Sequence, residues 1–193
     1  EQPGPFGPQL LAPEGSLWTP SVGGPVLLFE LEIPASSPAM DFRFELPELL
    51  ESRFDPALNA AELGEWLVHG TCVTTSSVSF IDTYRKAVAE LIFVDGGFEF
   101  ICTGALITDA AASLTPYLLT ANHCFDNQAS ASSLEAFWDY RTSSCGGSAP
   151  NLNSLPRSNG STLLATGPAS DFTFVRLSSI PSGRVFLGWE ANA

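Results

Sequence analysis

The sequence predicts an all-β fold, and three observations support that prediction. The chain has 16 glycines and 15 prolines among its 193 residues, which indicates many short turns. Phe42, Phe44 and Leu46 alternate with polar residues, which is the two-residue period of a half-buried strand. An Asp-Gly-Gly sequence at 95–97 separates two apolar runs and is a strong hairpin signal. After Cys72, the predicted strands lie at 88–94, 98–107, 117–121, 134–140, 162–166, 172–177 and 184–189.

The chain is predicted to divide once, near residues 65–70. Residues 1–68 are expected to form an N-terminal extension that contains some β structure. Residues 69–193 are expected to form six or seven antiparallel strands, a number suited to a small closed barrel. The prediction is therefore one β-barrel that follows an N-terminal extension.

The remaining predictions concern the extension and two segments after it. In the extension, 26–33 and 41–46 are predicted strands, and 47–67 is a loop with one or two helical turns. The segment 81–90 is compatible with a helix or a strand, and 142–160 is predicted to be a polar loop. These assignments rest on local pattern alone.

The charge balance excludes two classes of partner. The chain has 21 acidic residues against 8 Lys and Arg, a formal net charge of −13. Binding of nucleic acid needs a basic face, so that partner is not expected. An anionic membrane surface would repel the chain, and no apolar run is long enough to span a bilayer. Hydrophobic residues at 45% and charged residues at 15% are typical of a globular protein.

The cysteines indicate an oxidising compartment. Cys72, Cys102, Cys124 and Cys145 are even in number and widely spaced, which predicts two disulfides and a secreted protein. No Cys-x-x-Cys pair exists and the cysteines and histidines lack the spacing of metal ligands, so neither a metal nor a cofactor is expected. The first residues lack the basic and apolar regions of a signal peptide, which we expect to have been removed.

His123 is the first candidate for a chemical role. It follows an apolar strand directly and precedes Cys124, so it should lie at the rim of a sheet. A general base must be fixed within hydrogen-bond reach of its target, and a strand rim provides such a position. The alternative is a structural histidine. The other histidine, His69, has no apparent partner and is expected to lie in the linker.

Asp171 is the second candidate. It leads a strongly alternating strand at 172–177, so its carboxylate can lie at the lip of that strand. A carboxylate that accepts a proton from the Nδ1 atom of a histidine fixes the tautomer of the imidazole and stabilises its charged form. The alternative is an aspartate that only caps the turn before the strand.

Five sequence features occur in order over roughly residues 70–190, and each alone is a weak signal. The features are Cys102-Thr103-Gly104 with apolar residues after it, Leu119-Thr120-Ala121-Asn122-His123-Cys124, the aromatic strand Phe137-Trp138-Asp139-Tyr140, the following Cys145, and Ser170-Asp171-Phe172-Thr173. Together they resemble the chymotrypsin-fold serine endopeptidases, and most closely their secreted bacterial lysyl-endopeptidase branch.

The resemblance implies the first barrel of a two-barrel protease that acts on proteins or peptides. His123 would be the general base and Asp171 its orienting acid. It also implies disulfides between Cys102 and Cys124 and between Cys72 and Cys145. Residues 1 to about 65 would correspond to the tail of a propeptide or to an added module.

The sequence departs from the family in one respect. The family carries its nucleophile in a Gly-x-Ser-Gly motif in a second barrel, and no such motif occurs in this chain. We therefore expect the chain to be the front piece of a longer enzyme, inactive alone, on which the second barrel docks. The alternative is a non-catalytic β-domain that binds another protein. A half-enzyme should expose an apolar patch on the order of several hundred Å² at the docking face, whereas a binding module should be polar there.

Overall fold

A computed structural model of the protein describes residues 17–22, 26–30, 32, 45–46, 48–50, 70–76 and 78–190. Within these residues, seven strands form one sheet in the order β5-β4-β1-β2-β3-β7-β6. Every pair of neighbouring strands is antiparallel. The all-β prediction is confirmed. The strands are β1 Val88–Asp95, β2 Phe98–Ile107, β3 Tyr117–Thr120, β4 Glu135–Trp138, β5 Arg157–Asn159, β6 Ser161–Gly167 and β7 Phe172–Leu177.

The helices among the described residues are short. The α-helices there are α1, Ile81–Tyr84, and α2, Gln128–Ser133, and single 3₁₀ turns lie at Gly70–Cys72, Arg85–Ala87 and Leu152–Ser154. Asn127 caps α2, because its side chain accepts a hydrogen bond from the backbone N–H of Ser130 at 2.9 Å. In the part of the chain that the structure describes, no helix has the length and apolar character needed to cross a membrane.

The β1–β2 hairpin follows its sequence signal. Asp95 pairs with Phe98, so Gly96 and Gly97 alone form the turn. Both glycines have positive φ, 56° and 81°, the backbone conformation that a two-residue turn of the primed type needs. The hairpin prediction is confirmed.

The core lies on the inner face of the sheet. Ala89, Leu91 and Phe93 alternate along β1 and join one buried cluster that includes Leu106, Leu118, Trp138 and Val175. The indole N–H of Trp138 donates to Ser158 Oγ at 2.9 Å, so a buried polar group is satisfied. The cluster supports β3 and β7, the two strands that lead to the candidate residues.

Several predicted elements differ from the structure. β5 lies inside the predicted loop 142–160. Its three residues are polar and give no apolar signal in the sequence, but they pair with β4. The predicted strand 184–189 contributes only an isolated parallel bridge between Leu187 and Ile107. The segment 81–90 contains α1, a 3₁₀ turn and the start of β1.

The extension is only partly described. Residues 26–30 form no strand. Leu28 is 88% exposed, so its apolar side chain is not buried against a neighbouring strand. The remaining predictions for 31–46 and 47–67 fall mainly outside the described residues, where 32, 45–46 and 48–50 have no regular structure. The boundary between 1–68 and 69–193 stays a prediction.

Gly104, in β2, is expected to tolerate no side chain. A Cβ there would lie 2.6 Å from Leu118 Cδ2 and 2.9 Å from Leu91 Cδ1. Both leucines are fully buried, so a shift of either would disturb the core. Gly104→Ala should therefore lower the free energy of unfolding by about 1–3 kcal/mol, measured by urea denaturation.

Gly188→Ala provides the matched control, since an added Cβ at Gly188 meets no atom within 4 Å. Its stability should change by less than about 0.5 kcal/mol. Equal stabilities for the two variants would contradict the close packing of Gly104 against the two leucines.

Candidate active site

The turn that carries His123 is attached to the sheet at several points. β3 ends at Thr120, whose hydroxyl donates to the Thr103 carbonyl at 2.9 Å. The Cys124 N–H donates to the Ala121 carbonyl at 3.2 Å and closes the turn around His123. A disulfide joins Cys124 to Cys102 in the middle of β2. These contacts hold the backbone on both sides of the imidazole.

Asp171 occupies the last position of the turn between β6 and β7. Its φ is +49°, a left-handed conformation that aspartate adopts more readily than most residues. β3 and β7 pair antiparallel with Thr120 opposite Thr173, so the end of β3 lies beside the start of β7. This pairing brings His123 and Asp171, which are 48 positions apart in the sequence, into contact.

His123 and Asp171 are joined by two hydrogen bonds. Asp171 Oδ1 accepts from the backbone N–H of His123 at 2.9 Å. Asp171 Oδ2 lies 2.7 Å from His123 Nδ1. An ionised carboxylate only accepts, so the proton of the neutral imidazole is on Nδ1. Nε2 is then the basic nitrogen.

The pair faces solvent. The side chain of His123 is 71% exposed and that of Asp171 is 53% exposed. The backbone N–H and the imidazole of His123 hold the pKa of the Asp171 carboxyl below its usual value, against a smaller opposing effect of desolvation. The ionised carboxylate therefore stabilises the fold above the ordinary aspartate pKa of about 3.9, and this contribution is lost as pH falls through the lowered value.

A chain of hydrogen bonds lies behind the pair. Asn122 Nδ2 donates to Thr166 Oγ1 at 2.7 Å, and Thr166 Oγ1 lies 2.8 Å from Thr173 Oγ1. Thr173 Oγ1 donates to the Phe125 carbonyl at 2.6 Å. Because the one proton of Thr173 goes to Phe125, Thr166 is the donor in its bond with Thr173, and the Phe172 carbonyl at 3.1 Å is an alternative acceptor for the Thr166 proton. The chain ties residues on both sides of His123 to β6 and β7.

Sequence reasoning missed Thr166 and Asn122. Thr166 ends a predicted strand, and Asn122 occupies the variable position of the histidine motif. Neither position gives a local signal, because the contact depends on how β6 and β7 pair. His69 lies outside the described residues.

The disulfide between Cys102 and Cys124 argues against a metal site beside His123. Potential ligand atoms of Cys102, His123 and Cys124 lie within 4.8 Å of one another. Both cysteines are in a disulfide and offer no thiolate, the form that binds metal. The second disulfide joins Cys72 to Cys145 and holds the loop after β4 against the 3₁₀ turn Gly70–Cys72.

An apolar surface lies on the outer side of β3 and β7. Tyr117 and Leu119 alternate with core residues on β3, and Leu119 pairs with Phe174. The rings of Tyr117 and Phe174 are 5.2 Å apart. These two rings line an open cavity of about 440 Å³ together with Ile107 and Trp189, whose indole is more than half exposed. We call Ile107, Tyr117, Leu119, Phe174 and Trp189 the β3–β7 apolar face.

Comparison with known proteins places the chain in a family. Residues 65–193 match the family described as lysyl endopeptidase, C-terminal domain. The chain belongs to this lysyl endopeptidase family. The resemblance inferred from the motifs is thus confirmed.

Two further proteins are similar to this lysyl endopeptidase family member. The lysyl endopeptidase of Pseudomonas aeruginosa is 30% identical over 188 residues, which cover 91% of this chain and 40% of that protein. The chain therefore spans about two fifths of the length of this curated relative. The crystal structure of a thermostable serine protease AL20 from an extremophilic microorganism is 13% identical, covers 51% of this chain and 44% of that chain, and has a TM-score of 0.34.

The lowered pKa of Asp171 gives a test of the pair. In His123→Ala, the backbone N–H that is the larger cause of the lowering remains, whereas the imidazole is lost. The pKa of Asp171 should therefore rise but stay below its ordinary value, as measured by carbon NMR of the carboxyl group. His69→Ala is the control and should leave the pKa of Asp171 unchanged. A pKa in His123→Ala equal to that of the unsubstituted chain would contradict the hydrogen bond to Nδ1.

Thr166→Val should weaken the hydrogen-bond chain, because valine keeps the shape of threonine but has no hydroxyl. We expect a loss of about 1–3 kcal/mol in the free energy of unfolding, since Asn122 and Thr173 each lose a partner. Thr166→Ser keeps the hydroxyl and should lose less. Urea denaturation of both variants makes the comparison, and a serine variant less stable than the valine variant would refute the role of the hydroxyl.

Proposed function

We propose that this chain is the histidine- and aspartate-bearing part of a secreted serine endopeptidase. The observation that carries the proposal is the double hydrogen bond between His123 and Asp171, which leaves Nε2 of the imidazole as the basic nitrogen. Membership of the lysyl endopeptidase family supports it. Two disulfides support an oxidising compartment.

In this proposal, His123 and Asp171 supply the acid–base chemistry. Nε2 of His123 takes the proton of a serine hydroxyl as the serine attacks the peptide carbonyl. It then gives that proton to the leaving amine. Asp171 holds the imidazole in the tautomer that keeps Nε2 basic, and its negative charge stabilises the imidazolium that forms.

The nucleophile is proposed to come from a second barrel, which the 193 residues of this chain do not include. They contain no Gly-x-Ser-Gly motif, so the chain alone should not cleave peptide bonds. The β3–β7 apolar face supports docking of such a barrel, because aromatic and aliphatic side chains are partly exposed on this outer side of the sheet. The same face argues against the alternative, a domain with a polar surface at this position.

The substrate is proposed to be a protein or peptide cut after a basic residue. The Pseudomonas aeruginosa relative is named a lysyl endopeptidase, and by analogy we expect lysine before the cleaved bond. Specificity of this kind needs an acidic pocket, which we expect in the second barrel. The chain contributes the base and its orienting acid.

The test uses the full-length protein with a lysine-containing peptide substrate. His123→Ala should lower kcat/KM by about 10⁴- to 10⁶-fold, because no base is left to activate the serine. Asp171→Asn should lower it by about 10⁴-fold, since the amide favours the wrong tautomer. His69→Ala is the matched control and should retain activity.

A phosphonate probe that labels activated serines separates the parts of the proposal. It should label the full-length protein and fail to label the chain of 193 residues. Undiminished activity in His123→Ala would refute the assignment of the base. Labelling of the shorter chain would place the nucleophile within it.

A further inference from the structure

One outer part of the sheet is buried although it lies outside the core. Leu91 of β1 and Ala136 of β4 point into the core cluster, so their neighbours Ile92 and Phe137 point to the opposite side. Ile92 and Phe137 are nevertheless only 7% and 1% exposed, and neither belongs to the core cluster. Burial also raises the pKa of Glu90, on the same side of β1, to about 7. This side of the sheet is therefore covered.

A charged pair lies at the centre of this covered surface. Glu135 pairs with Ile92 across β1 and β4, and Arg157 pairs with Phe137 across β4 and β5. The side chains of Glu135 and Arg157 are only 9% and 15% exposed, and their charged groups are 3.2 Å apart. The guanidinium of Arg157 also lies over the Phe137 ring, 5.4 Å from its centroid. We call Ile92, Glu135, Phe137 and Arg157 the β1–β4–β5 face.

The N-terminal segment binds this pair through Ser21. The backbone N–H of Ser21 donates to Glu135 Oε1 at 3.1 Å, and its hydroxyl donates to Glu135 Oε2. The Ser21 carbonyl accepts from Arg157 Nη1 at 3.0 Å. Three groups of one residue thus match both members of the charged pair, although Ser21 and Glu135 are 114 positions apart.

These contacts explain how the charged pair is tolerated. A buried carboxylate is costly unless hydrogen bonds satisfy its oxygens. Arg157 donates to Oε1 of Glu135, whereas in the described residues Ser21 supplies the donor to Oε2. Without the segment, Oε2 would lose that donor.

We propose that the β1–β4–β5 face is a docking surface for residues 17–22 of the same chain, and that Glu135 and Arg157 hold the segment by its backbone at Ser21. The segment then stays bound to the barrel when the polypeptide between them is cut. Recognition uses an N–H, a carbonyl and a hydroxyl, so the face fits a peptide segment with a serine at this position. The proposal is independent of any catalytic role of the chain.

The experiment cuts the folded chain. A recognition sequence for a site-specific protease replaces residues 52–58 of the 193-residue chain, which is then cleaved and passed over a size-exclusion column. The N-terminal piece should elute with the barrel. In Ser21→Pro, which loses both the N–H and the hydroxyl, the pieces should separate. Thr19→Ala is the matched control, an exposed position in the same segment, and its pieces should elute together.

Hydrogen exchange in the uncut chain gives a second measurement. The Ser21 amide should be protected, and Glu135→Gln should speed its exchange by about tenfold or more, because a hydrogen bond to a charged acceptor is lost. Separation of the pieces in the unsubstituted chain, or an unprotected Ser21 amide, would overturn the proposal. Co-elution in Ser21→Pro would overturn the role of the Glu135 and Arg157 contact. None of these outcomes depends on protease activity.

Discussion

β3 and β7 pair antiparallel with Thr120 opposite Thr173, and the geometry of the His–Asp pair depends on this contact. Leu118 and Val175 are fully buried cross-strand partners in the same ladder, so packing in the core fixes the register. A shift by one residue would turn both side chains toward solvent and separate His123 from Asp171. The pair therefore depends on apolar side chains that never contact it.

Once the register is correct, local contacts hold the turn that carries the imidazole of His123. The disulfide between Cys102 and Cys124 attaches the histidine turn to β2, and the chain from Asn122 through Thr166 and Thr173 attaches it to β6 and β7. The two attachments approach the turn from opposite neighbours of β3. An exposed side chain is usually mobile, yet in this turn the backbone beneath it is held on both sides, which is the arrangement that a general base needs.

The sequence correctly predicted elements whose signals lie within one short segment. The hairpin at Gly96-Gly97 and the strand after Asp171 each depend on a few adjacent residues, and both were predicted correctly. β5 was missed because Arg157–Asn159 has no apolar period and becomes a strand only by pairing with β4. Thr166 was missed for a similar reason, since its partners come from separate parts of the chain.

The segment 26–30 gives the opposite lesson. Its apolar residues favour a strand by composition, but a strand needs a neighbour, and Leu28 is almost fully exposed. Nothing in the local sequence reveals whether an apolar run will find a partner. The same limit applied to Ser21, a polar residue in an irregular segment that contacts both members of a buried ion pair.

The outer side of the sheet has two apolar regions in different states. On the β3–β7 apolar face, Leu119 is 39% exposed and Trp189 is 56% exposed. On the β1–β4–β5 face, Phe137 is 1% exposed, and the neighbouring charges are neutralised by each other and hydrogen-bonded by Ser21. The difference has a physical basis, because a buried ion pair needs specific donors and acceptors whereas an apolar cavity needs only shape. The chain supplies the specific partner, Ser21, for the β1–β4–β5 face and leaves residues of the β3–β7 apolar face exposed.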